Sequence, residues 1–181
     1  MSAPGPVRAV AEGSRSDWET PPRIFAWQDS LWNFDIDAAA NASNAKCPEW
    51  FGPGSHLDGG ESAFTVNWHE YGRNFWVNPP YGRGLADWIA LFDEQSREGV
   101  RIVALLPANT DTQWWMRCVQ TAHEITLLVP RIGFWRDGKP LPPKLDANPG
   151  GSMLVRWEPF GTLGGATIRA QDWRIASARW S

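Results

Sequence analysis

Asn74-Phe-Trp-Val-Asn-Pro-Pro-Tyr81 decides how this chain is read: a short apolar run stopped at once by two consecutive prolines. Valine and aromatic residues in such a run predict a strand. Proline lacks an N–H and drives the residue before it out of the helical region, so Asn78 and Pro79 are both forced to stay extended. The expected product is a stiff loop at a strand end. Its carbonyls escape any helix, the Asn78 side chain offers an acceptor oxygen, and Tyr81 supplies a flat ring. Acceptors beside a stacking face suit an amino group on a planar ring. An ordinary Pro-Pro turn is the alternative.

Downstream, Leu85, Trp88, Ile89 and Phe92 make a helical stripe that ends near Gly99. Val100–Leu106 is continuously apolar, as in a strand buried on both faces. Thr110-Asp-Thr-Gln113 reads as a capping box opening a helix with Trp114, Trp115, Cys118 and Val119. Glu124–Val129 and Ser152–Trp157 predict two more strands, separated by a Pro/Gly-rich stretch from Asp137 to Gly151. Upstream, Thr20 reads as the N-cap of a helix over Pro21–Trp32, with Ile24, Trp27 and Leu31 on one side. Asn33–Asp37 then reads as a short strand and Ala38–Lys46 as a small-residue helix or turn. Residues 47–66 are punctuated by Gly52, Pro53, Gly54, Gly59 and Gly60 and read as loop. Strands alternating with helices predict an α/β fold with a mostly parallel sheet flanked by helices. Ligands in such sheets sit at the carboxyl ends of the strands, where Asp35/Asp37, Asn78–Tyr81 and Pro107–Thr110 fall.

Composition sets the outer bounds. At 181 residues, 43% hydrophobic and 20% charged, the chain suits one globular domain and excludes collagen-like, coiled-coil and disordered classes. No apolar run approaches the ~20 residues of a membrane span. Residues 1–16 read as a disordered lead-in without a secretory signal, leaving 17–181 as the domain. Cys47 and Cys118 are too few for a disulfide framework and read as buried small hydrophobes, so the cytoplasm is expected. Net charge is -3, divided as -7 over residues 1–129 and +4 over 130–181. An acidic cofactor half beside a basic nucleic-acid half would show that division, as would a solvated basic face. Most of the 13 tryptophans must be structural, with a few free to stack on bases. His56, His69, His123 and the two cysteines show no metal-ligand spacing, and no phosphate-cradling Gly-rich loop is present.

Asn78-Pro-Pro-Tyr81 with Gly82 resembles the catalytic motif of amino-group methyltransferases that use S-adenosylmethionine. Glu19-Thr-Pro-Pro22 resembles the cofactor-contacting motif ahead of the first helix in DNA adenine-N6 methyltransferases. Phe34-Asp-Ile-Asp-Ala-Ala-Ala40 followed by Asn44-Ala-Lys-Cys47 is similar to the acidic strand end of the phage-type members. Ile102–Ala108 with Thr110 and Trp114, and Pro130-Arg-Ile-Gly-Phe134, are similar to the same family, in its order, from about Trp18 to Trp157. The resemblance implies a minimal Rossmann-like methyltransferase fold with S-adenosylmethionine as cofactor. It implies Asn78, Pro79, Pro80 and Tyr81 as catalytic residues, and Thr20, Pro21, Asp35 or Asp37, and Trp68 as cofactor contacts. Arg83, Arg131 and Trp114 are the candidates for DNA contact, with Arg136 a further one.

The chain departs from the pattern in one place: no glycine lies between Arg23 and Phe34, so the loop that usually follows the first strand is missing. Either Phe34–Ala40 takes that loop's position with alanines, or the first strand is absent and Asp37 sits on the next one. The second arrangement is preferred, because residues 47–66 hold no convincing strand for the next position.

The implied activity is methyl transfer to the N6 amino group of adenine in DNA. The amino group would be held by the Asn78 side-chain oxygen and the Pro79 carbonyl, with Tyr81 stacked on a base flipped out of the duplex. No metal, no membrane and a monomer are expected. If the chain is phage-encoded, its place is the host cytoplasm. The rival readings are a methyltransferase of protein glutamine amides and a catalytically inactive DNA-binding relative.

Overall fold

The computed structural model describes residues 18–143 and 150–180; the expected lead-in over 1–16 lies outside them. The chain runs α1 (Pro22–Trp32), β1 (Ile36–Asp37), β2 (Glu49–Trp50), β3 (Asn74–Val77), α2 (Leu85–Arg97), β4 (Arg101–Pro107) and α3 (Gln113–Thr121). It continues through β5 (Glu124–Val129), β6 (Trp135–Arg136), β7 (Lys139–Pro140), β8 (Ser152–Trp157), β9 (Thr167–Asp172) and α4 (Trp173–Ala176). Seven strands form one sheet in the order β2-β1-β3-β4-β8-β5-β9, and β6-β7 forms a separate hairpin. All neighbours in the large sheet are parallel except β4/β8 and β8/β5. The expected mostly parallel sheet with flanking helices is what the chain forms.

Period-2 alternation divides the core into two layers. Phe75 and Val77 of β3, Ile102, Ala104 and Leu106 of β4, and Met153, Val155 and Trp157 of β8 face α2 and α3, together with Phe51 and Trp68. Trp76, Val103, Leu105 and Leu154 point the other way, against α1, Phe134 and the C-terminal Trp173 and Trp180. Burial on both faces explains why β4 reads as an uninterrupted apolar run. Asp93 of α2, itself buried, pairs with Arg97 at 2.9 Å and reaches Arg117 of α3 at 3.0 Å, tying the helices of the first layer together.

Two helix starts differ from expectation. The Thr20 hydroxyl caps nothing; α1 begins from Pro21, with no side-chain cap. The cap of α3 is Thr112, whose hydroxyl accepts from the Trp115 N–H, two residues beyond the proposed Thr110. Proline at the first turn already presets the helical φ, so α1 needs no hydroxyl there.

The larger correction concerns β1. Ile36 and Asp37 pair directly with Phe75 and Trp76 of β3, and on their other side with Glu49 and Trp50. The strand missing from residues 47–66 exists but is two residues long, too short for periodicity to reveal. Phe34–Ala40 therefore holds the first-strand position, and Ala38–Ala40 takes the place of the glycine-rich loop. Gly52 makes this packing feasible: a Cβ there would lie 1.9 Å from the Ala40 carbonyl oxygen. Gly52→Ala should therefore lower stability by more than the ~1 kcal/mol typical of a point mutation, measured by urea unfolding. A neutral effect would mean the two loops do not pack as described.

Candidate active site

The strand order reverses direction between β1 and β3, the first running outward to β2 and the second inward to β4. Loops leaving the carboxyl ends of such a pair diverge and open a crevice. The crevice here is a narrow, solvent-open cleft with about 20 Å³ of room for water, lined by Trp18, Glu19, Thr20, Asp37, Ala39, Asn44, Lys46, Trp76 and Asn78.

Asn78 leaves β3 into the crevice wall. Its amide nitrogen donates to the Trp18 carbonyl at 2.7 Å, which leaves the side-chain oxygen as the acceptor. No N–H among the described residues donates to that oxygen or to the Pro79 carbonyl. Pro79 is buried and Pro80 exposed. The Tyr81 hydroxyl donates to the Leu105 carbonyl at 3.2 Å, fixing the ring edge-on to Trp18 and Phe134. Burial pushes the Tyr81 phenol well above its usual range, so it stays a neutral donor.

Asp37 forms the floor. Its carboxylate accepts from the Lys46 N–H at 3.0 Å and the Ala39 N–H at 3.3 Å. Burial nevertheless outweighs these donors and the Lys46 charge, raising its pKa to about 6. Two buried polar atoms of the crevice have no partner: the Thr20 hydroxyl and the Trp76 indole N–H. Buried polar groups are nearly always satisfied, so an orphaned pair flanking an acidic acceptor is a site shaped for a polar ligand.

The proposed contacts are not all brought together. Thr20, Asp37 and Asn78 meet in the crevice, whereas Asp35 does not. Asp35 lies at the opposite end of the strands, accepting from the Arg73 and Asn74 N–H groups at 2.7 and 2.9 Å. Pro21 is a buried starter of α1 whose carbonyl accepts from Ile24 and Phe25. Trp68 is fully buried in the far core layer, its indole donating to the Ala63 carbonyl. Trp114 and Trp115 both lie half-buried against that same layer, so neither had to turn away from the core. Arg83 and Arg131 are exposed. Cys47 and Cys118 are buried, and burial raises both thiols, Cys118 to about 12, so neither offers a thiolate. Among the described residues no His/Cys/Asp/Glu group could hold a metal ion.

Sequence reasoning missed Trp18 and Trp76 as crevice residues, and although Glu19, Ala39, Asn44 and Lys46 fell within the quoted motifs, it did not single them out. Trp76 could have been found, since alternation from Phe75 and Val77 sends it to the other face two positions before Asn78. Glu19 and Lys46 are 27 residues apart and pair at 3.0 Å, a meeting no local pattern encodes.

Comparison with known proteins shows the family. The profile of the family described as DNA N-6-adenine-methyltransferase (Dam) matches residues 9–173. A DNA N-6-adenine-methyltransferase of Haemophilus phage HP1 is 29% identical over 152 residues, covering 81% of this chain and 81% of that protein. A DNA N-6-adenine-methyltransferase of Escherichia phage T1 is 30% identical over 112 residues, covering 61% of this chain and 44% of that protein. Among solved structures, one described as a predicted O-methyltransferase from Agrobacterium tumefaciens matches with a TM-score of 0.34 and 25% identity, over 57% of this chain and 43% of the other.

The raised Asp37 pKa has a definite sign in stability. The folded protein takes up this proton near pH 6, the unfolded chain only near ~4. Between those values the folded state binds more protons, so Asp37 makes stability rise as pH falls, by at most ~1.4 kcal/mol per unit. Urea titrations of wild type and Asp37→Asn across pH 4 to 7 should differ by this slope. Parallel curves would place the Asp37 carboxylate in solvent.

Proposed function

The chain belongs to the DNA N-6-adenine-methyltransferase (Dam) family, an adenine-N6 methyltransferase family, and from that premise we propose how its own residues serve the reaction. The family implies a cofactor of the S-adenosylmethionine type. The crevice fits it by the chemistry of its donors and acceptors: Asp37 accepts a ribose hydroxyl or the ammonium, and the orphaned Thr20 hydroxyl and Trp76 N–H take up acceptors. When bound, S-adenosylmethionine supplies a methyl group on a positively charged sulfur, and the C–S bond breaks as the N–C bond forms.

Trp18 determines which end of the Asn78 amide faces the substrate. By accepting from the amide nitrogen, its carbonyl presents the Asn78 oxygen to the adenine amino group. That oxygen and the Pro79 carbonyl hold the two amino hydrogens, directing the nitrogen lone pair at the methyl carbon. Water takes the proton released. Both acceptors are fixed before the substrate arrives, one by Trp18 and the other by proline stiffness, so little reorganisation remains. Tyr81, held in place through Leu105, walls the base pocket. A paired adenine cannot reach this depth, so the base is flipped out of the duplex.

The segment from Arg131 through the β6-β7 hairpin lies beside the same crevice, since Phe134 stacks on Trp18 at 4.7 Å and Trp135 pairs with Glu19. It carries Arg131, Arg136 and Lys139 and is read as the element that meets the DNA backbone, with Arg83 following the catalytic loop. Trp114, packed on the far core layer, takes no part. No helix among the described residues is long and apolar enough to cross a membrane, and the place of action is wherever DNA is exposed to the enzyme, the host cytoplasm for a phage-encoded chain.

The observation that carries this reading is the Asn78 amide held by the Trp18 carbonyl at the mouth of a crevice with orphaned polar atoms. Asn78→Ala should lower methyl transfer to unmethylated DNA at least ~100-fold, the order seen when an oriented polar group is removed. Cofactor affinity by calorimetry should stay within about threefold. Survival of N6-methyladenine formation in the variant would remove Asn78 from the mechanism. Arg131→Ala should weaken DNA binding and reduce the magnitude of the log Kd against log salt slope by about 1; an unchanged slope would mean Arg131 meets no phosphate.

A further inference from the structure

Glu19 is a buried acid with three structural links. Its backbone forms an antiparallel bridge with Trp135, with N–H to carbonyl distances of 2.8 and 3.0 Å. One carboxylate oxygen accepts from the Lys46 ammonium at 3.0 Å and the other from the Gly138 N–H at 3.2 Å. Gly138 is the turn of the β6-β7 hairpin, in the left-handed region at φ 69°. Lys46 in turn donates its own backbone N–H to Asp37. A single side chain therefore joins the floor of the crevice to the tip of the hairpin.

Stability alone does not account for this arrangement. A buried ion pair is often replaceable by apolar residues at no loss of stability, and its better-attested use is to fix one arrangement among several. Buried Phe134 and the backbone bridge of Trp135 anchor the base of this two-stranded ribbon, so the Glu19 carboxylate acts on its tip, at Gly138. We propose that Glu19 is a positioning residue for DNA engagement: its carboxylate sets the β6-β7 hairpin at the height above the crevice where its basic side chains meet the backbone flanking the flipped adenine. The proposal rests on the reading of the hairpin as a DNA-contacting element. Glu19 itself touches neither base nor methyl group.

Carboxylate chemistry makes the test sharp. Glutamine has one acceptor oxygen where glutamate has two, so Glu19→Gln turns an NH₂ donor toward either the Lys46 ammonium or the Gly138 N–H. Removing the competing ammonium in Glu19→Gln/Lys46→Met frees the glutamine oxygen for Gly138. The full-length protein and both variants would be compared in three ways: steady-state methyl transfer to duplex DNA, calorimetry with S-adenosylhomocysteine, and hydrogen exchange of residues 131–143.

Glu19→Gln should raise KM for DNA about tenfold and lower kcat less than threefold. Exchange should accelerate in the hairpin but not in β4 or β8, and any change in S-adenosylhomocysteine affinity should be smaller than that in KM for DNA. The double variant should recover most of the KM and of the protection. A structural role alone predicts the reverse, with kcat and stability falling together and the double variant worse than the single. Equal loss of kcat, or a hairpin whose exchange does not change, overturns the proposal. If the wild-type protein leaves DNA unmethylated, the enzymatic reading fails separately, and the hairpin's exchange still decides whether Glu19 positions it.

Discussion

A pairing only two residues long, Ile36–Asp37 against Phe75–Trp76, sets the position of every other part of the site. It brings the carboxyl ends of two parallel strands side by side, and their following loops part in opposite directions. Asp37 and Trp76 become neighbours across that pairing, Ala38 closes on Trp76 through its own N–H, and Asn78 emerges one step further along. So short a ladder is not self-supporting. It is held from beneath by Asp35, which accepts two N–H groups where β3 begins, and from above by Asp37, which accepts two more where β1 ends. The two carboxylates are alike in sequence and opposite in placement, one in a half-exposed turn and the other on the crevice floor.

The sequence exposed those parts of the fold whose side chains are constrained on both faces. The strands β3, β4, β5 and β8 were legible because a sheet covered by helices demands apolar residues at every position. The strand β1 was read within Asn33–Asp37, three residues too early at its start, whereas β2 was not read, since two residues are too few to show a period. Nor was β9, whose exposed edge carries Thr167, Arg169 and Gln171 and resembles a loop. The Asn78–Tyr81 loop could be read because proline restricts its neighbours by local sterics alone. Trp18, Glu19 and Lys46 could not, because their partners lie tens of residues away. Thr20 is the instructive case. Its position before Pro21 fits a helix cap, yet proline made the cap unnecessary and left the hydroxyl to face the crevice.

The aromatic content follows the same division. Trp68, Trp76 and Trp157 are among the largest fully buried side chains; the rings of Phe51, Phe75 and Phe92 pack on Trp68, Phe92 also on Trp157, and Trp76 on the opposite face packs on Phe25 and Phe34. A small sheet with short strands obtains from indoles the apolar area that longer strands would supply with aliphatics. One of these core indoles nevertheless presents its N–H to the crevice, so a single residue serves packing and ligand chemistry at once. Its neighbour Trp18, stacked on Phe134, belongs to both the catalytic wall and the hairpin base.

The contact between Glu19 and Gly138 spans 119 positions of the chain, and that between Trp18 and Asn78 spans 60. Contacts of such separation close late, because the intervening chain must be ordered before they repay the entropy of closure. On the ribosome, the Asn78 amide has its carbonyl partner early, but the Glu19 carboxylate lacks its hairpin partner until residue 138 has emerged. The hairpin in turn precedes β8, so the strand that joins β4 to β5 reaches the sheet centre later still. A polypeptide interrupted before the hairpin would carry the Asn-Pro-Pro-Tyr loop yet lack both the hairpin and the strand that joins the two halves of the sheet.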